Sequence, residues 1–195
     1  MAALPTRTLP LLAPALFLAA GCSLFPDPAP PPRYYVPPIP ASSTGTIDRS
    51  GPKLRLRNVT AADHLDRRMV WNTGGTEVGY HEQHRWADSP DEYLWRALMI
   101  ELFAERGMHR ADSGLVPVLD VWLLRFEEIT GPMRQARVEI GVSLVDPERL
   151  SLLARAFEVR VDVRGDDMAD VAEAMGRALT QAVDEAAAAI VAAMP

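Results

Sequence analysis

The sequence predicts an α+β domain, a mostly antiparallel sheet with two helices packed on one face, preceded by a signal peptide and a proline-rich linker. Three observations predict it. Residues 137–144 and 157–163 alternate apolar and polar side chains with the period of a half-buried strand. The segment from Asp166 or Asp167 to about Ala193 carries apolar residues at helical spacing on one side only. A proline-dense tract separates this region from an apolar N-terminus.

The chain has 195 residues, of which roughly 145 follow the linker, enough for one hydrophobic core and short for two. Its hydrophobic share of 48% and charged share of 24% exclude a wholly disordered chain. A formal charge of −6 argues against nucleic acid, which selects for basic stripes. Cys22 is the single cysteine, so internal disulfides are excluded and packing must supply the stability.

The N-terminus reads as a secretory signal. Arg7 lies in a short leading region, and residues 9–20 are apolar but too few for a span of about 20 residues. Pro10 and Pro14 oppose a permanent transmembrane helix. Ala19, Ala20 and Gly21 then precede Cys22, a run that resembles the lipobox of bacterial lipoproteins, although Leu is more usual where Ala19 stands. The resemblance implies cleavage between Gly21 and Cys22, a diacylglycerol on the thiol and an acyl chain on the freed amine. No other cofactor is expected. Several chains, at ~0.8 kcal/mol per buried CH₂, make a lasting anchor. Ser23 rather than Asp follows the cysteine, which by resemblance to other lipoproteins implies the periplasmic face of the outer membrane. An ordinary signal peptide with a chance cysteine is the alternative.

Residues 22–52 form the lipidated cysteine and linker. Pro26, Pro28, Pro30, Pro31, Pro32, Pro37, Pro38 and Pro40 favour extended polyproline conformations, with a reach of up to ~90 Å at ~3.1 Å per residue. Tyr34-Tyr35-Val36 interrupts the tract and can add a strand at a sheet edge, where the following prolines would confine it.

The domain occupies residues 53–195. Leu54, Leu56 and Val59 interleave with Arg55 and Arg57 in a first strand. A second runs from Arg68 to Trp71, and Gly74-Gly75 turns it into a return strand near Glu77 to Tyr80. Ser89 caps a helix, with Pro90 at its first position and Glu92 completing a capping box. Leu94, Trp95, Leu98, Met99 and Leu102 form its apolar face, and Gly107 stops it. Val118 to Glu128 is apolar on both sides, with Leu119, Val121 and Leu123 facing one way and Trp122, Leu124 and Phe126 the other. Clean alternation in the next two strands predicts antiparallel pairing with one wet face. Asp146-Pro147-Glu148-Arg149 turns between them. The last helix spans ~39 Å at ~1.5 Å per residue. Its stripe is Met168, Val171, Ala172, Met175, Leu179, Ala182, Val183, Ala186 and Ile190, with Thr180 among the residues on the solvent side. A membrane-surface helix is a poor fit, because the polar side is acidic.

Catalytic patterns are sparse. His81-Glu82-Gln83-His84 places two histidines at i and i+3 in a loop or strand end, whereas a zincin needs i and i+4 on a helix. No metal is expected there. The chain contains no G-x-S-x-G elbow and no glycine-rich phosphate loop, and Thr73-Gly74-Gly75-Thr76 is better used in a turn. Asp166-Asp167 suits a helix N-terminus better than acid–base catalysis. Binding or scaffolding fits these residues better than a reaction does.

Within residues 53–102 the sequence resembles the ABC-type transport auxiliary lipoproteins, the PqiC-like family. The resemblance rests on the strand from Leu54 to Val59, on Leu65-Asp66-Arg67, on Met69-Val70-Trp71, and on Arg85-Trp86-Ala87 just before the first helix. Tyr34-Tyr35-Val36 resembles the family's first strand, and by element order the likeness covers roughly residues 34–190. Asp63-His64 departs from the Pro and Tyr usual there, and residues 73–84 match weakly. The resemblance implies a non-enzymatic lipoprotein accompanying an ATPase, a permease and an MCE-domain protein that carries lipids across the envelope, and it also implies self-association. It marks Leu65, Asp66, Arg67, Arg85 and Trp86 as partner-contact or family-motif positions. The structural alternative has Leu65 filling the core, Asp66 with Arg67 fixing a turn, and Trp86 plugging the space beside the first helix. A lipoprotein assisting outer-membrane barrel assembly, such as the lipopolysaccharide translocon, is a second reading. A periplasmic enzyme is a third, and it requires a deep pocket of converging titratable groups.

Overall fold

The computed structural model describes residues 30–40 and 51–194, and those from Pro32 onward belong to one compact unit. Its elements are β1 (Arg33–Tyr35), β2 (Lys53–Ala61), β3 (Arg68–Asn72), β4 (Val78–Trp86) and α1 (Pro90–Leu98), which continues as a π-helical segment (Met99–Glu105). β5 (His109–Arg110), β6 (Val118–Ile129), β7 (Gln135–Val145), β8 (Ser151–Asp162) and α2 (Met168–Ala193) follow. The fold is α+β, as the periodicities predict. The signal-peptide residues, Gly21 and Cys22 among them, lie outside the described residues.

β6 is the spine of the sheet. One edge pairs with antiparallel β7 from Val118–Val145 to Ile129–Gln135, and β7 pairs in turn with antiparallel β8. Its other edge is shared: β2 lies parallel to residues 118–123, and β3 lies parallel to Glu127–Ile129. β4 is antiparallel to β3, while β1 and β5 add parallel pairings to β4 and β2. The two longest ladders are antiparallel as expected, and the sheet as a whole is mixed. The cause is connectivity: α1 lies in the chain between β2 or β3 and β6, and a helical crossover returns the chain in the same direction. β1 is the anticipated edge strand, shifted by one residue, and Pro37 follows at the place where a further ladder N–H would be needed.

Both helices cover one face. α2 lies over β7 and β8, and α1 over β2 and β6. The predicted α2 stripe is buried from Val171 to Ile190, with Met168 partly covered. Ala174, Ala178, Ala182, Ala186 and Ala187 are fully buried, so the helix backbone approaches the strands closely. Each fully buried Leu or Val there contributes about 1.5–3 kcal/mol. Gly176 allows a second close approach: a Cβ at this position would lie 2.4 Å from the Pro38 carbonyl oxygen, so residues 38–39 cross α2 where only glycine fits. Thr180, expected on the solvent side, is half-buried and donates to the Gly176 carbonyl at 2.9 Å.

Several local expectations change. Leu123 pairs with Ile140 and Arg125 with Glu139, which makes Leu124 the extra residue of a β-bulge. The bulge reverses the alternation, so Phe126 joins Leu119, Val121 and Leu123 in the core instead of facing away with Trp122. At the start of α1, Ser89 makes no side-chain cap hydrogen bond, and no capping box forms. The Glu92 N–H reaches the Ser89 carbonyl at 3.1 Å, and the Asp88 N–H donates to the Tyr93 hydroxyl at 2.9 Å. Tyr93 is fully buried, while Trp95, expected on the apolar face, is 39% exposed. The helix then widens, with the Arg106 N–H reaching Glu101 five residues back. Gly107 ends it at φ 65°. At α2 Asp167 of the acidic pair is the N-cap, and its N–H donates to the Asp170 carboxylate at 2.9 Å.

Candidate interaction surface

The five motif residues meet at one corner of the sheet. Leu65 closes a turn through its N–H to the Ala62 carbonyl at 2.8 Å and places its side chain in the core. Asp66 fixes the approach to β3, but with Arg68 rather than Arg67: it accepts the Arg68 N–H at 2.6 Å and Nε at 2.9 Å. Burial pushes the Asp66 carboxyl up, but these hydrogen bonds and the nearby charges of Arg68 and Arg85 outweigh it and leave it lowered. The Arg68 guanidinium lies 3.7 Å from the centre of the Tyr80 ring. Arg67 is exposed, and its carbonyl accepts the Trp86 N–H at 2.7 Å. Arg85 donates to the His81 and His84 carbonyls at 2.7 and 3.0 Å. Trp86 is buried and packs edge-to-face on Phe126 and Tyr93 at 5.1 and 6.2 Å. The motif therefore divides: Leu65 and Trp86 are core, and Asp66, Arg67 and Arg85 reach the surface.

His81 and His84 stand inside β4, not in a loop or at a strand end. Their polar strand escapes hydrophobic patterning because it lies toward the sheet edge. His81 Nε2 is 2.9 Å from the Glu128 carboxylate. His84 contacts the rings of His81 and Tyr35. Burial, with the charges of His81, Arg33 and Arg85, lowers its pKa. Among the described residues no three His, Cys, Asp or Glu side chains are placed to hold a metal.

A feature missed in the sequence lies at the end of β6, where neighbouring residues point to opposite faces: Glu127 joins Arg125 and Arg137 on the face away from the helices, and Glu128 shares the side of Phe126. Glu127 and Glu128, at the end of a strand that reads as apolar, are 0% and 2% exposed. Arg134 Nε donates to Glu128 at 2.6 Å, opposite His81. Burial raises the Glu128 pKa, and the bonds from His81 and Arg134 lower it by more. Glu127 is held more loosely, 3.4 Å from Arg137 and 3.6 Å from Arg125. Arg137 also binds Glu158 at 2.6 Å, and Arg125 lies 3.3 Å from Glu139. The available signal was cross-strand: Arg and Glu occupy outward positions on neighbouring strands, where opposite charges pair. Beside this ladder Trp122 and Leu124 lie against Gly141, where a Cβ would be 3.3 Å from Leu124. With their carboxyls held low by their partners, Glu128 and Glu158 are weak bases, which suits contact better than proton transfer.

Comparison with known proteins decides the family. The model of the ABC-type transport auxiliary lipoprotein component matches residues 34–187. The chain belongs to this family. Among solved structures it is similar to protein XCC0632 from Xanthomonas campestris, of the DUF330 family, at 19% identity and TM-score 0.69, over 83% of this chain and 95% of that one. An uncharacterized protein is similar at 17% identity and TM-score 0.59, over 84% and 98%. The hypothetical protein CT253 from Chlamydia trachomatis gives 8% identity and TM-score 0.51, over 72% and 95%. At these identities the likeness shows the fold alone. No curated protein matches the chain. In this auxiliary lipoprotein no helix among the described residues is long and apolar enough to cross a membrane.

Proposed function

We propose that this auxiliary lipoprotein is a non-enzymatic, membrane-anchored component of an ABC/MCE-type intermembrane lipid transport system. Its leader, residues 1–21, is removed, Cys22 carries a diacylglycerol and an acyl chain, and these hold it at the periplasmic face of the outer membrane. The residues between Cys22 and β1 space the domain from the bilayer, since residues 33–40 belong to the folded unit, and the domain positions an MCE-domain protein that works with a permease and an ATPase. Asp66, Arg67 and Arg85 are partner contacts in this reading, supported from the core by Leu65 and Trp86. The carrying observation is the family match over residues 34–187 behind a lone Cys22 preceded by small residues. The arginine-held carboxylates, poor as general bases, agree with a role by proximity. Crosslinking in cells and purification of the chain from detergent tests it. Recovery of an MCE-domain protein, weakened by Asp66→Ala with Arg67→Ala, is the expected result. Reproducible recovery of an outer-membrane barrel instead, or of neither, overturns it.

A further inference from the structure

A cleft of about 450 Å³ opens at the end of the sheet where β6 begins and β7 ends. Three arginines line it: Arg55 and Arg57 from β2, and Arg149 from the turn between β7 and β8. The acids nearby are engaged. Asp120 accepts Arg57 Nε at 2.9 Å, a second Arg57 nitrogen and the Asn58 amide at 3.1 Å. The Asp146 carboxylate accepts the Leu150 N–H at 2.7 Å. Arg57 keeps one guanidinium nitrogen outside its fork on Asp120, and Arg55 and Arg149 have no side-chain partner among the described residues. Arg55 Nε is also buried without an acceptor, and a desolvated N–H lacking a partner is unfavourable until something accepts from it. Arg149 is the only non-glycine residue with positive φ among the described residues, at 67°, in a turn closed by its N–H to the Asp146 carbonyl at 3.0 Å. The turn thus holds a third guanidinium at the cleft at some backbone cost. In a chain of net charge −6, this is a local concentration of positive charge.

We propose that this cleft binds a phosphate group. Guanidinium forks match phosphate oxygens bidentately, and three of them suit a group with several anionic oxygens. The same cleft has an apolar side: Leu115 is 90% exposed there, next to Val145. Phosphate flanked by hydrocarbon is the chemistry of a phospholipid headgroup, and a soluble phosphate ester offers the same anion without the chains. The cleft stands on its own residues, whichever transporter protein the domain contacts.

The test uses the full chain with Cys22→Ser, so that no acyl chain contributes. Calorimetric titration with glycerol 3-phosphate and with inorganic phosphate reads the cleft directly. Flotation with phosphatidylcholine vesicles, with and without an equal share of phosphatidylglycerol, reads the headgroup. Saturable binding of glycerol 3-phosphate is expected, weakened about tenfold or more by Arg55→Gln with Arg149→Asn. Asn tolerates the left-handed backbone, and an unchanged melting temperature shows that the variant folds. Flotation only with the anionic vesicles, reversed by glycerol 3-phosphate, assigns the phosphate to a lipid; titration without flotation assigns it to a soluble ester. No saturable binding in either arm, binding matched by chloride at equal ionic strength, or binding that survives the double substitution overturns the proposal.

Discussion

The two faces of the sheet are built from the same strands by different physics. On the helix side, Leu119, Val121, Ile140 and Leu144 meet a row of alanines on α2, and stability there comes from apolar area removed from water and from close packing. On the open side, Arg125, Arg137 and Arg160 alternate with Glu127, Glu139 and Glu158, around Trp122 and Leu124. The more exposed of these pairs, such as Arg160 with Glu158, contribute little each and serve mainly to keep the face ordered and soluble, while Glu127 is buried among them. One face therefore makes the fold, and among the described residues neither helix covers the other.

The comparison is sharpest in two tryptophans. Trp86→Ala removes a ring enclosed by Phe126 and Tyr93 and should cost about 3–5 kcal/mol in denaturant unfolding. A loss below about 1 kcal/mol would break the contrast between faces. Overpacking gives the next effect. Ala178→Leu, at a fully buried position, should cost about 1–3 kcal/mol, while Ala156→Leu on the open side should stay within about 0.5 kcal/mol. Thermal melts of the two variants side by side check this.

Glu128→Gln probes the buried carboxylate on the Phe126 side of β6. Its partners Arg134 and His81 remain partly exposed and can turn to water, so the loss should be about 1–2 kcal/mol at neutral pH. Because the folded carboxyl titrates below its ordinary 4.5, this contribution is fully present above about pH 4.5 and is lost as pH falls through the lower folded value. Wild type and variant should therefore converge in stability under acid, as read by urea midpoints across pH. A gap that widens on acidification would contradict the assignment. Trp122→Ala should cost about 1 kcal/mol or less, far below Trp86→Ala, since 41% of this residue is already in water.

These contrasts mark what was legible in the sequence. The α2 stripe and the β7 and β8 alternation were visible because period alone places them, and Leu65 and Trp86 went to the core as their chemistry suggests. Phe126 lies on the face opposite to the one its period predicts, because a single inserted residue, Leu124, reverses the alternation with no local signal. β5 is two residues long and exists only through pairing with distant β2, so nothing nearby announces it. The parallel pairings of β2 and β3 depend on tertiary connectivity, which strand period does not encode. Glu127 and Glu128 hide in an apolar strand because Arg137 lies on β7 and Arg134 just before it, outside the period of β6. Ser89 has the residue type and spacing of a cap and stands at the N-cap position, yet its side chain makes no cap hydrogen bond, and the Tyr93 hydroxyl accepts the Asp88 N–H just before the helix.

The lipid-tethered role is tested most directly by the intact mass of the protein purified from cell membranes. The account predicts a chain beginning at Cys22, heavier than residues 22–195 by a diacylglycerol and an acyl chain. An unmodified Cys22 still joined to residues 1–21 would contradict it.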